Sequence, residues 1–70
     1  MERLPLSVPD LHCEHCLMTI RRQLRRLSGV EAVYGDVRRK TLEVIHEPET
    51  ASVETILAAI QALGYTAARR

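Results

Sequence analysis

Apolar residues in this chain switch between the two-residue period of a strand and the roughly 3.6-residue period of a helix, and few folds accept their order. Leu4, Leu6 and Val8 alternate with Pro5 and Ser7 as a half-buried strand, closed by Pro9-Asp10. Pro5 has no N–H to give a ladder, so full pairing of this strand is expected only after it. Leu17, Ile20, Leu24 and Leu27 then recur at helical spacing. They predict a helix over 16–27, ended by Ser28-Gly29 with Gly29 as its left-handed cap. A second strand follows over 30–37, where Gly35 predicts a bulge or a close backbone approach. Arg38, Arg39 and Lys40 make a charged hairpin turn into a third strand. There Leu42, Val44 and His46 alternate with Thr41, Glu43 and Ile45 until Pro48 stops the run. Ser52 is a candidate N-cap for a second helix carrying Val53, Ile56, Leu57, Ile60 and Leu63, stopped by Gly64. Residues 65–68 suffice for one short edge strand.

Strand, helix, strand, strand, helix, strand amounts to two split βαβ units. Right-handed crossovers then predict an α+β sandwich, a four-stranded antiparallel sheet with both helices on one face. Asp10 to Cys16, the turn at 35–40 and the Gly64-Tyr65 junction share one end of that sheet, and His46 and Ser28-Gly29 share the other. At 70 residues this is a single domain, 1–70, with a thin core. With 46% apolar residues in clear periodicity, the chain is not expected to be disordered. No run approaches the roughly 18 apolar residues of a membrane span. The start, "MERLPLSVPDLH", lacks the apolar run of a signal peptide. The expected compartment is the cytoplasm, where thiols stay reduced.

Both cysteines fall at the first strand-to-helix junction, in "PDLHCEHCLM" (9–18), together with His12 and His15. C-x-x-C spacing lets two sulfurs converge on one point. Cys16 lies in the first helical turn, where unpaired N–H groups and the helix dipole favour thiolate. Two thiolates suit a soft ion, and Cu(I), which accepts as few as two ligands, fits them best. A closed tetrahedral zinc site would need His12 and His15 as well, from positions that splay in different directions. A thioredoxin-like dithiol also uses C-x-x-C, but normally in a larger domain with an aromatic residue where this chain has His12. His12 stays open between a loop side chain and a third ligand. His15 is expected to point outward, and His46, at the opposite end, to be a strand residue without a metal role.

Four stretches taken together, "CEHC" opening a helix, "LSGV" closing it, "HEPE" after the third strand and "IQALGY" before the last, resemble the heavy-metal-associated domain family over nearly the whole chain. That family comprises small copper chaperones and the metal-binding modules of copper-transporting P-type ATPases. The resemblance implies a ferredoxin-like βαββαβ fold that binds Cu(I) through Cys13 and Cys16 and passes it on by ligand exchange, without catalysis. The family's usual Gly-Met-Thr or Gly-Met-x before the first cysteine reads Asp10, Leu11 and His12 here. Leu11 replaces a methionine that packs inward, and is expected to anchor the loop. Asp10 adds a negative charge that either favours a cation or caps the helix. In zinc-preferring relatives an Asp at the position of His12 joins the two thiolates, so His12 widens the choice to Zn(II), Cd(II) or Hg(II). Tyr65 matches the aromatic residue that shields the site in bacterial-type relatives, where eukaryotic chaperones carry a lysine.

Arg21, Arg22, Arg25 and Arg26 cover the arc of the first helix opposite its leucines, with no glutamate at i,i+4 to pair them. Such a self-repelling face is expected to dock an acidic surface, that of a copper-transporting P-type ATPase or another metal acceptor. Net charge, at +1, argues neither for nor against nucleic acid, but Tyr34 and Tyr65 are the sole aromatic residues. Nucleic acid is therefore not an expected partner, because the stacking platforms of single-strand binders are missing. The metal-free chain is expected to be a monomer, which a shared soft metal could bridge into a dimer.

Overall fold

Elements β1 (Glu2–Ser7), α1 (Glu14–Arg25), β2 (Val30–Asp36), β3 (Thr41–His46), α2 (Val53–Ala62) and β4 (Ala68–Arg69) succeed one another in a computed structural model describing residues 1–70. The strands form one sheet in the order β2-β3-β1-β4, with every neighbouring pair antiparallel. β1 and β3 are central and run in register from Glu2 opposite His46 to Ser7 opposite Thr41. The α+β sandwich expected from the order of periods is therefore the fold. Alternation decides which sheet face is buried. Leu4, Leu6, Val33, Leu42 and Val44 are at most 2% exposed, while the adjacent Arg3 and Tyr34 face water and the intervening Pro5 and Glu43 are half-buried. Leu17, Ile20 and Leu24 of α1 and Ile56 and Ile60 of α2 close that face in a single core cluster. Each such fully buried side chain contributes about 1.5–3 kcal/mol. No helix is long and apolar enough to cross a membrane.

The ladder to β3 runs straight through Pro5, opposite Glu43, whereas the sequence predicts full pairing only beyond the proline. The side it faces explains this. The Pro5 carbonyl accepts the Arg70 N–H, and a residue's N–H and C=O point toward the same neighbouring strand, so the missing donor falls on the β4 side. Pairing there is confined to Leu6 with Arg69 and Ser7 with Ala68, which makes the edge strand shorter and later than residues 65–68.

Helix α1 starts at Glu14 and ends at Arg25 with Arg26 as its C-cap, both earlier than predicted. Gly29 is left-handed, at φ 96°, but lies past that cap in the turn into β2, where its carbonyl accepts the Glu47 N–H at 2.7 Å. Helix α2 follows its sequence signals at both ends. Ser52 Oγ accepts the Thr55 N–H at 3.2 Å. At the other end Gly64, at φ 95°, donates to Gln61 O and Tyr65 donates to Ile60 O, the paired bonds of a Schellman cap. That cap sets the chain direction into Tyr65. Gly35 carries no bulge, since the register shift lies between Val30 and Ala32. It is instead the site of a close approach. A Cβ there would meet Leu42 Cδ2 at 2.9 Å and a methyl of Leu17 closer still, so the bare backbone lets α1 settle onto β2.

Candidate metal centre

Three connections meet beyond one end of the sheet: the β1–α1 loop, the β2–β3 turn and the α2–β4 segment. The first is tied to both others. Val8 N–H donates to Lys40 O at 2.8 Å, and the Lys40 ammonium donates to Leu11 O at 3.0 Å. Across 56 residues, Thr66 N–H donates to the Asp10 carboxylate at 3.0 Å. Asp10 therefore does not cap α1 as one sequence reading allows; the cap is Cys13, and the carboxylate holds the α2–β4 segment instead. Within the loop, Leu11 N–H donates to Val8 O at 3.0 Å, and the Leu11 side chain is fully buried, as expected of an inward anchor. His12 Nδ1 lies 2.8 Å from Asp10 O. A carbonyl only accepts, so Nδ1 carries a proton and Nε2 makes no part of this bond.

Cys13 sits at the N-cap of α1 in extended backbone (φ −152°, ψ 158°), and its Sγ accepts the Cys16 N–H at 3.1 Å. The same sulfur thus satisfies one of the orphan donors of the helix start. Both thiols are free; Cys13 is half-buried and Cys16 is 9% exposed. Ligand atoms of His12, Cys13 and Cys16 all lie within 4.8 Å of one another. His15 is exposed and outside that group, its carbonyl accepting the Thr19 hydroxyl. His46, at the far end, is fully buried with Nδ1 2.7 Å from Ala51 O and no partner for Nε2.

The Cys16 thiol is held below the ordinary cysteine value, first by its hydrogen bond with the Cys13 side chain and then by the Tyr65 hydroxyl. Burial pushes it the other way, and the charge and backbone N–H of His12 pull it down further. The same partnership raises Tyr65, together with burial and the charges of Cys16, Cys13 and Asp10. Along α1 and at its C-cap, Arg21, Arg22, Arg25 and Arg26 are exposed beside Met18. None of them joins the three ion pairs of the molecule, which link the Met1 amino group to Glu47, Arg3 to Glu43 and Arg39 to Asp36. The ties made by Lys40 and Asp10 are what the sequence reading missed. Its one usable signal was that both residues fall at the cysteine end of the sheet.

The pattern of the heavy-metal-associated domain matches residues 6–66. This chain belongs to the heavy-metal-associated domain family. As a heavy-metal-associated domain it is 30% identical over 69 residues to the copper chaperone CopZ of Bacillus subtilis, covering 99% of this chain and all of that protein. It is 30% identical over 60 residues to copper-transporting ATPase 2 of Homo sapiens, covering 86% of this chain but only 4% of that protein. A copper-binding domain from HMA7, a P-type ATPase, superposes with a TM-score of 0.94, covering 100% of this chain and 95% of that one. At 20% identity this likeness concerns the fold.

Proposed function

We propose that this heavy-metal-associated domain binds Cu(I) through the thiolates of Cys13 and Cys16 and hands it to an acceptor by exchange of ligands. One observation carries the reading: two free sulfurs converge at the first turn of α1, in a chain that aligns end to end with a copper chaperone. Two thiolates form a soft donor set that satisfies Cu(I) while leaving positions free. An acceptor's thiolate takes such a position and Cys13 or Cys16 lets go, so each bond formed replaces one broken and nothing is oxidised. The process is transfer, not catalysis. Tyr65 shields the site, and the cytoplasm is the compartment that keeps both thiols reduced. The unpaired arginines Arg21, Arg22, Arg25 and Arg26 orient an acidic acceptor, such as a metal-binding domain of a copper-transporting P-type ATPase. The metal-free chain is a monomer, and shared metal bridges two copies.

Anaerobic Cu(I) titration with native mass measurement tests this. One ion per chain is expected in the loaded monomer and a metal-bridged pair of chains beside it, with Cys13→Ser or Cys16→Ser weakening binding more than about a hundredfold. Wild-type affinity no better than that of the double serine variant would end the copper reading. Arg21→Glu with Arg25→Glu should slow transfer to an acidic acceptor and flatten its salt dependence.

His12 supports a second reading. A ring nitrogen of His12 and both sulfurs lie within 4.8 Å of one another, and two thiolates with an imidazole make a three-coordinate set that tolerates Zn(II) and widens the choice to Cd(II) or Hg(II). Competition between Cu(I) and Zn(II) at buffered concentrations decides: zinc winning, with the preference abolished in His12→Ala, displaces copper. Sustained reduction of insulin disulfides would displace both in favour of a thiol–disulfide enzyme.

A further inference from the structure

Lys40 is the one non-glycine residue with a left-handed backbone, at φ 57°. Glycine or asparagine adopts that conformation more readily, so turn geometry alone does not call for lysine. Arg38 and Arg39 beside it turn back on their own strand: their N–H groups donate to the Asp36 carboxylate, and the Arg39 guanidinium pairs with it. Lys40 instead grips the segment leading to Cys13 at two points. Its carbonyl accepts the Val8 N–H, and its ammonium, 29 residues away in sequence, donates to the Leu11 carbonyl. That carbonyl belongs to the peptide joining Leu11 to His12. Holding it sets the direction in which His12 and Cys13 leave the buried anchor Leu11.

We propose that Lys40 is a positioning residue for metal exchange, locking the Leu11–His12 peptide and fixing a positive charge against the loop that carries Cys13. This role rests on the copper reading. Two thiolates around a monovalent ion leave one net negative charge, and an ammonium hydrogen-bonded to the same loop offsets part of it. The tether comes from a turn packed against the end of β1, so orientation and charge are set before any acceptor arrives.

Lys40→Met, Lys40→Arg and Lys40→Gly, each in the full chain, separate this role from stability. Amide exchange is measured on the metal-free proteins, and release of Cu(I) to the chelator bicinchoninate on the loaded ones. In Lys40→Met the Leu11 amide is expected to exchange about tenfold faster and Cu(I) to leave about tenfold faster. Lys40→Arg restores both toward wild type. Lys40→Gly relieves the left-handed backbone and melts no lower than wild type, yet shows the same fast exchange and release, a split that a merely structural lysine does not give. Release within twofold of wild type in Lys40→Met, with or without faster amide exchange, overturns the proposal. A wild-type chain that takes up no Cu(I) is a different result, which removes the copper reading and this role with it.

Discussion

Because the Cys13 sulfur accepts the Cys16 N–H, substitutions at residue 13 can separate folding from ligation. Serine is among the best N-cap residues and alanine among the worst. Cys13→Ser should therefore leave the urea midpoint of the metal-free domain near wild type while removing Cu(I) binding. Cys13→Ala should lose binding and also about 0.5–2 kcal/mol of stability. Equal midpoints for the two variants would mean that the sulfur is no cap in solution. Cys16 and Tyr65 make a second prediction, on pH. The Cys16 pKa is lowered, so its contribution to stability is complete above the unfolded cysteine value and lost as pH falls through the folded one. The Tyr65 pKa is raised, so its contribution is complete below the unfolded tyrosine value and lost as pH rises through the folded one. The contribution of the pair is thus greatest between about pH 8.5 and about pH 10. Tyr65→Phe should flatten both limbs and move the thiolate absorbance titration of Cys16 upward; an unmoved titration would place the hydroxyl away from the sulfur.

Elements are where the sequence was most legible, since their signals are local. Leu42, Val44 and His46 mark β3 by alternation alone. Ser52 and Gly64 mark the two ends of α2, because caps are made by residues three or four positions away. Details that depend on a distant strand were not legible. Whether Pro5 interrupts pairing depends on which neighbour its backbone faces, and the bulge near Val30 depends on register with β3. In the candidate site, the C-x-x-C pair and the buried Leu11 could be read directly. The grip of Lys40 on Leu11 and of Asp10 on Thr66 spans 29 and 56 residues and leaves no local trace. Gly35 and Gly64 show how the same residue type serves different ends. Gly64→Ala meets open space and suffers only from its left-handed backbone, which should cost about 1 kcal/mol. Gly35→Ala drives a methyl into Leu17 and Leu42, which should cost about 1–3 kcal/mol and shift α1 on the sheet. Urea midpoints rank the two, and amide shifts along α1 should move in Gly35→Ala alone.

At the scale of the whole molecule, the buried His46 and the candidate metal centre occupy opposite ends of the sheet. His46 pairs with Glu2 and Val30 at one end of β3, while Thr41 at the other end pairs with Ser7, next to the loop that leads to Cys13. A strand of that length separates them by about 17 Å. His46 is a fully buried side chain with one ring nitrogen bonded to Ala51 and the other unpartnered, so His46→Ala removes packing and a hydrogen bond together. The expected loss is about 2–4 kcal/mol, a large fraction of what a domain with 15 of 70 residues buried can hold. Metal acts on the same balance from the far end. A ligand at a hundredfold excess over its Kd adds about 2.7 kcal/mol if only the folded state binds it. Here the gain should fall short of that, because Cys13 and Cys16 lie three positions apart and the unfolded chain still presents both sulfurs to Cu(I). Urea unfolding of wild type and His46→Ala, each metal-free and Cu(I)-loaded, measures both effects and their interaction. With no shared partners across that distance, the loss from His46→Ala should be the same in both forms to within about 0.5 kcal/mol. A larger difference would mean that β3 transmits metal binding along its length, and the two ends would have to be treated as one cooperative unit.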